Sequence, residues 1–192
     1  MNQAALLPPS YDEMIPENHL VRIVNEAVEK IDLTPLLSKY KGGGTSSYHP
    51  KMLLKVLVYA YVEKIYSSRR IAKALRENIQ FMWISGGNRP DFRTLNNFRS
   101  SRMKGVIDDV FGAVVEYLMA TGHVKLENYY VDGTKIEANA NKHKVVWVKQ
   151  RNRYHQKVQE EIKILLKKIE KENLAEQEEY GDKDLEELGD TG

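Results

Sequence analysis

Two groups of side chains in this chain have the types and spacing to do chemistry. The first is cationic. Wound as a helix at about 100° per residue, Arg69, Lys73 and Arg76 fall within about 60° of one another. Ile71, Ala74 and Leu75 fall on the opposite side. Such a helix packs through one face and offers three cations through the other, the geometry of a helix laid against a phosphate backbone or groove. An ordinary basic face in water is the simpler alternative. Farther along, Arg93 and Asn97 lie about 40° apart on a second helical stretch, joined by Arg99 and Arg102, with Phe92, Leu95 and Phe98 as its apolar side. Arg and Asn pair bidentately with guanine and adenine edges. They also bind phosphate and cap helices without reading any base. Lys51, Arg70 and Arg89 complete the set of candidate DNA contacts.

The second group is a carboxylate, Asp132, at the end of the Tyr- and Val-rich run Leu126 to Asp132. An Asp at the end of a strand is rigidly aimed, and magnesium prefers carboxylate oxygens. Two-metal phosphoryl transfer needs several such groups converging. Asp-Gly is also the standard two-residue hairpin turn, so spacing alone leaves both readings open. Glu137, five residues on, belongs to the partner strand and could face either way.

Other chemistries find no support. The chain has no cysteine, which removes disulfides, thiolate metal sites and cysteine nucleophiles. His19, His49, His123, His143 and His155 show neither i, i+4 pairing nor a tight cluster, so no His-based zinc site is visible. No nucleophile-elbow pattern suggests a serine hydrolase. Lys41 to Ser47 holds three consecutive glycines but lacks the second glycine, Lys and Ser/Thr of a P-loop.

The charge distribution favours a polyanion partner. The formal net charge is only +2, yet residues 39–104 hold fourteen basic and three acidic side chains. Residues 156–192 hold six basic and twelve acidic ones. A concentrated basic block is the electrostatic footprint of nucleic-acid binding. The chain length of 192 residues and a hydrophobic content of 42% suit a globular protein of one or two domains. No apolar run approaches the roughly 18–20 residues of a membrane span, and the first twenty residues do not pattern as a secretory signal.

The elements that must position these groups are mostly helical. Pro8, Pro9 and Pro16 break the first eighteen residues. From His19 to Ile31, the spacing of Leu20, Ile23, Val24, Ala27, Val28 and Ile31 predicts an amphipathic helix, capped by Glu17 and Asn18. Pro35 suits the start of a short second helix, and Pro50 the first turn of a longer one with Met52, Leu53, Val56, Leu57 and Ala60 on its apolar face. Ser67 and Ser68 can cap the next helix, which runs to about Glu77. Asp91 caps another to about Ser101, and a fourth covers about Val106 to Thr121, stopped by Gly122. Leu126 to Asp132 and Thr134 to Ala138 read as the two strands of a hairpin. From about Trp147 to Glu179 the pattern is helical again. Val158, Ile162, Leu165 and Ile169 form a narrow seam, like a short coiled coil. The acidic stretch from Glu176 to Gly192 is expected to be disordered.

Three stretches together resemble a known family. Tyr48-His49-Pro50-Lys51-Met52-Leu53-Leu54-Lys55, Ser67-Ser68-Arg69-Arg70-Ile71 and Arg89-Pro90-Asp91-Phe92-Arg93-Thr94-Leu95-Asn96-Asn97-Phe98-Arg99 are similar to the N-terminal domain of InsH-type insertion-sequence transposases. Val131 to Lys142 (VDGTKIEANANK) is similar to the segment holding their first catalytic aspartate. The resemblance implies a bacterial, cytoplasmic DDE enzyme with an RNase H-like catalytic domain, in which three carboxylates hold two Mg2+ or Mn2+ ions. By motif position, Asp132 would be the catalytic residue and first metal ligand, with Thr134 and Lys135 beside it. The family's second aspartate and its glutamate have no counterpart after Asn141, where only a charged helix and an acidic tail follow. One carboxylate cannot organise two metals, so stable metal binding and strand cleavage by this chain alone are not expected.

The expected fold class is therefore mainly α. It comprises a helix-turn-helix-like DNA-binding domain over residues 1–122, a hairpin over 123–144 that begins an incomplete RNase H-like domain, a charged helical insertion over 145–180 and an acidic tail over 181–192. The expected partner is double-stranded DNA at the element's terminal inverted repeats, with a homodimer or full-length transposase as a further partner and no membrane. The alternative is an interaction module pairing through the 158–169 seam.

Overall fold

A computed structural model describes residues 10–38, 40, 48–123, 144–181 and 183, with the backbone alone for 144–159. Its elements are α1 (Leu20–Lys30), α2 (Thr34–Leu37), α3 (Pro50–Val62), α4 (Ser68–Glu77), α5 (Ile79–Ile84), α6 (Phe92–Asn97), a π-helical turn (Phe98–Arg102), α7 (Ile107–Ala120) and α8 (Lys144–Tyr180). The described part is thus mainly helical, as expected, and it contains no strand. The expected hairpin, with Asp132, Thr134, Lys135 and Glu137, lies outside the described residues, as do the glycine loop at 41–47 and most of the acidic tail.

Helix α3 forms the centre. Leu53, Leu54 and every residue from Val56 to Tyr61 are buried, so the helix is enclosed nearly all round rather than along the single stripe its spacing suggested. It packs on α1 and α5, while α1 also packs on α7. Aromatic contacts fix these neighbours. The Tyr59 ring lies 4.9 Å from Phe81 of α5, and Tyr61 stacks on Phe111 of α7 at 6.0 Å. Such pairs add about 0.5–1.5 kcal/mol beyond the area they bury.

The caps are local and mostly as the residue types require. Ser67 accepts a hydrogen bond from the Arg70 N–H at 3.0 Å, and Asp91 accepts from Thr94 at 2.6 Å. Helix α1 departs from the expected cap. His19, not Glu17 or Asn18, holds that position, its Nδ1 accepting from the Val21 N–H. Val21 is buried there in place of the exposed Leu20, while Val24, Ala27 and Val28 are buried as their spacing predicts. The residues before α1 are pinned by Arg22, which donates to the Asp12 carboxylate and to the carbonyls of Asp12, Ile15 and Pro16. Trp83 donates to the same Asp12 carboxylate, tying this segment to α5.

Two departures bear on function. The stretch from Asp91 is not one α-helix to Ser101. After Asn97 it widens into a π turn, closed by a hydrogen bond from Met103 N–H to the Phe98 carbonyl. Single π turns of this kind concentrate at functional sites. In addition, the described residues of the seam on α8 are engaged within the chain. Ile162 and Ile169 are buried in the molecule's own core, with Leu165 packed against it. Helix α8 packs on α7, so the apolar spacing that suggested a coiled coil serves an intramolecular contact.

Candidate nucleic-acid interface

Helix α4 buries Ile71, Ala72 and Leu75 and packs chiefly on α5 and α6. The turn before it, after α3, bends at Lys64, whose φ is 60°. The two helices flanking this turn therefore take different principal partners, α1 and α5 for α3, and α5 and α6 for α4. Arg70 and Lys73 are exposed on α4, and Lys73 lies 3.9 Å from Glu77 one turn on. Arg76, in the last turn, is partly buried.

Arg69 departs from the face that its spacing assigned it. The residue is only 3% exposed. Its guanidinium stacks on the Phe92 ring of α6, with Cζ 4.2 Å from the ring centre. Its Nε donates to the Lys183 carbonyl at 3.0 Å and its Nη2 to the Gly181 carbonyl, while the Glu176 carboxylate lies 3.9 Å from Nη1. Arg69 therefore neutralises the C-terminal end of α8, where unsatisfied carbonyls attract a cation. Periodicity puts Arg69 beside Lys73 and Arg76. The arrival of α8 removes it from solvent.

The loop between α5 and α6 carries Arg89 outward. Gly86 and Gly87 have φ of 61° and 75°, a conformation that a side chain resists, and the Asn88 amide closes the turn onto the Ser85 carbonyl at 2.7 Å. On α6, Arg93 is exposed, and its Cζ lies 4.7 Å from the centre of the same Phe92 ring that Arg69 meets. Asn97 is exposed at the last position of α6. The π turn then separates two arginines. Arg102 is exposed, with Cζ 5.1 Å from the Tyr40 ring. Arg99 turns inward, donates to Asn96 at 2.6 Å and faces the buried Tyr61. Burial pushes the Tyr61 hydroxyl up, partly offset by the Arg99 charge, and neither that hydroxyl nor Arg99 Nη1 completes a hydrogen bond of ordinary geometry.

Lys51 also has a structural task. It pairs with Glu29 of α1 at 2.9 Å, and Lys55 donates to the same carboxylate. These two ammonium groups, Lys55 foremost, hold Glu29 down at about 2. The expected set therefore divides. Arg70, Lys73, Arg89, Arg93, Asn97 and Arg102 face solvent. Lys51, Arg69 and Arg99 are engaged within the fold, and Arg76 is intermediate.

Residues 9–101 match the family model of a transposase domain, DUF772. This stretch of the chain is a transposase domain of that family. The match spans α1 to α6 and most of the π turn, and so contains every exposed cation of the expected set except Arg102. No curated protein and no solved structure matches the chain significantly. Within the transposase domain and the helices after it, no group of three or more His, Asp or Glu side chains converges to hold a metal among the described residues. Among those residues, no helix is long and apolar enough to cross a membrane.

Sequence reasoning missed the residues that fasten α8 to the transposase domain. Asn173 accepts from the Ser68 N–H and hydroxyl and donates to the carbonyls of Tyr66 and Ile169. The Ser67 hydroxyl donates to Glu176. A signal for them was present. Ile169, Asn173, Glu176 and Tyr180 fall within about 60° of one another on a helix, so the apolar seam continues as a polar one. Glu176 to Tyr180 are helical, as the expected 145–180 helix has them, although the acidic composition from Glu176 onward had also suggested disorder.

Proposed function

We propose that this chain is the N-terminal, DNA-binding portion of an insertion-sequence transposase of the InsH type, and that it recognises the terminal inverted repeats of its element. The observation that carries the reading is the set of exposed cations on the transposase domain: Arg70 and Lys73 of α4, Arg89 of the following loop, and Arg93 of α6, continued by Arg102. All come from rigid helices or from a loop pinned by hydrogen bonds, which favours a fixed register on a phosphate backbone. Asn97, exposed beside them, is the side chain suited to an adenine edge.

By the same reading the enzyme is of the DDE class. Asp132 would be its first metal ligand, and in the complete enzyme Mg2+ or Mn2+ would supply Lewis acidity for phosphodiester chemistry, with no stable metal binding by this chain alone. The competing reading, an interaction module paired through residues 158–169, loses support because Ile162 and Ile169 are already buried within the chain.

Fluorescence anisotropy on the terminal-repeat duplex and on a scrambled duplex, across a salt series, tests the proposal. Tighter binding to the repeat, weakening steeply with salt, is the expected result. Equal affinity for both duplexes would remove repeat recognition, and no binding at low salt would remove DNA as the partner.

A further inference from the structure

The C-terminal end of α8 lies across the start of α4. Residues 170–180 of that helix hold five glutamates and one lysine. Asn173 occupies the Ser68 N–H and hydroxyl, Glu176 takes the Ser67 hydroxyl and approaches Arg69 Nη1, and the carbonyls of Lys183 and Gly181 accept from Arg69 Nε and Nη2. The first residues of a helix presented to DNA are the ones that meet phosphates and base edges. Here those positions are already filled by acceptors, one of them a carboxylate, from the same chain.

We infer that the docked end of α8 is an autoinhibitory contact: it competes with the DNA backbone for Arg69 and the start of α4, and its release is required for full DNA affinity. The inference rests on the DNA-binding reading above. The device is a two-state equilibrium. In the docked state Arg69 is buried and the Glu176 carboxylate lies beside it. In the released state Arg69 joins Arg70 and Lys73. DNA binds the released state better, so docking lowers the apparent affinity by the fraction of molecules that are released. The polar character of the latch fits such a switch. Ile169 is fully buried, but beyond it the contact is made chiefly by hydrogen bonds and one ion pair, which water can replace, with the Tyr180 ring 5.8 Å from Arg69 Cζ.

The absence of native cysteines permits a clean test. In the full chain carrying Ser68→Cys and Asn173→Cys, oxidation should close a disulfide that locks α8 down, read as the disappearance of both free thiols. The oxidised chain should bind the terminal-repeat duplex at least tenfold more weakly than the same chain after reduction. A second variant, Glu176→Ala, should bind about threefold more tightly than the unmodified chain. Its log–log salt slope should be steeper by about 0.9, the increment for one added phosphate contact. Failure of the two thiols to pair, together with an unchanged affinity and salt slope in Glu176→Ala, would overturn the docking. Equal affinity of the oxidised and reduced forms would overturn the competition while leaving DNA binding intact. If no form binds any duplex at low salt, the DNA-binding reading fails and the inference falls with it.

Discussion

Asn173 of α8 and Ser68 of α4 stand 105 positions apart in the chain, and the Asn173 side-chain oxygen accepts two hydrogen bonds from Ser68, at 3.3 and 2.9 Å. The same amide donates to the carbonyls of Tyr66 and Ile169. Its burial is tolerable because both ends of the amide are satisfied. Asn173→Leu keeps the bulk and removes every bond. It should lower unfolding stability by about 1–3 kcal/mol, the cost of leaving buried partners unmatched. Urea denaturation measures the decrease, and faster hydrogen exchange at the Ser68 amide should accompany it. Unchanged stability and exchange would mean that the amide anchors nothing.

Arg69 and Arg70 are neighbours with opposite tasks. Arg69 is buried against Phe92 and the end of α8, whereas Arg70 is exposed. Arg69→Lys keeps the charge but loses the planar fork that reaches two carbonyls, and should destabilise the fold by about 2–4 kcal/mol. Arg70→Ala should change stability by less than about 0.5 kcal/mol. Thermal unfolding of the two variants in parallel separates them; equal destabilisation would place Arg69 back on the surface.

Arg89 and Arg93 should act on DNA binding and not on folding. Alanine at either position should weaken duplex binding across sequences and flatten the log–log salt slope by about 0.9 for each phosphate no longer neutralised. Asn97→Ala should instead narrow the difference between the repeat and a scrambled duplex, since removing a base-edge hydrogen-bond pair reduces discrimination by about 1–3 kcal/mol. A uniform weakening on Asn97→Ala, with discrimination kept, would assign Asn97 to the backbone.

Glu29 makes stability depend on acid. Its carboxyl is held at about 2, against an ordinary value of 4.5, by hydrogen bonds from Lys55 and then Lys51. A depressed folded-state value means that the stabilisation is complete above about pH 4.5 and is lost as the pH falls toward 2. The carboxylate is partly exposed, so solvent screening limits the effect to about 1 kcal/mol or less. Glu29→Gln should therefore be less stable than the unmodified chain at pH 6 and should converge with it near pH 2. Parallel curves over that range would show the pairs to be inert.

Lys64 ends α3 in the left-handed region, with φ 60°, and Ile65 N–H closes back on the Ala60 carbonyl at 2.8 Å. This is the geometry that glycine favours after a helix. Lys64→Gly should raise stability by about 0.5–1 kcal/mol, read as a higher urea midpoint at unchanged slope.

The resemblance carried by residues 48–55, 67–71 and 89–99 led to the transposase family, because those stretches combine a helix start, a cap and a cation pattern in a fixed order. The helices themselves were legible for a similar reason. Pro50, Ser67, Asp91 and Gly122 act on their own backbone within a turn or less, so their meaning is local. Helix α5 was missed because Ile79 to Ile84 is too short and too uniformly apolar to show a period. The π turn was missed because the extra residue in its hydrogen-bonded ring leaves no mark on composition.

What the sequence determined by itself is therefore the helix content, the caps at Ser67 and Asp91, the basic block and the family. The tertiary structure decided which cations face water. Periodicity states which residues share a face of a helix; it does not state what that face meets. Arg69 shares its face with Lys73 and Arg76, but the end of α8 arrives from more than a hundred residues away and supplies two carbonyls and a carboxylate to it. Lys51 is drawn to Glu29 in the same way. A cation exposed on an isolated helix is buried or paired when a distant segment offers oxygen acceptors at the right place, and only the packed chain brings the two together.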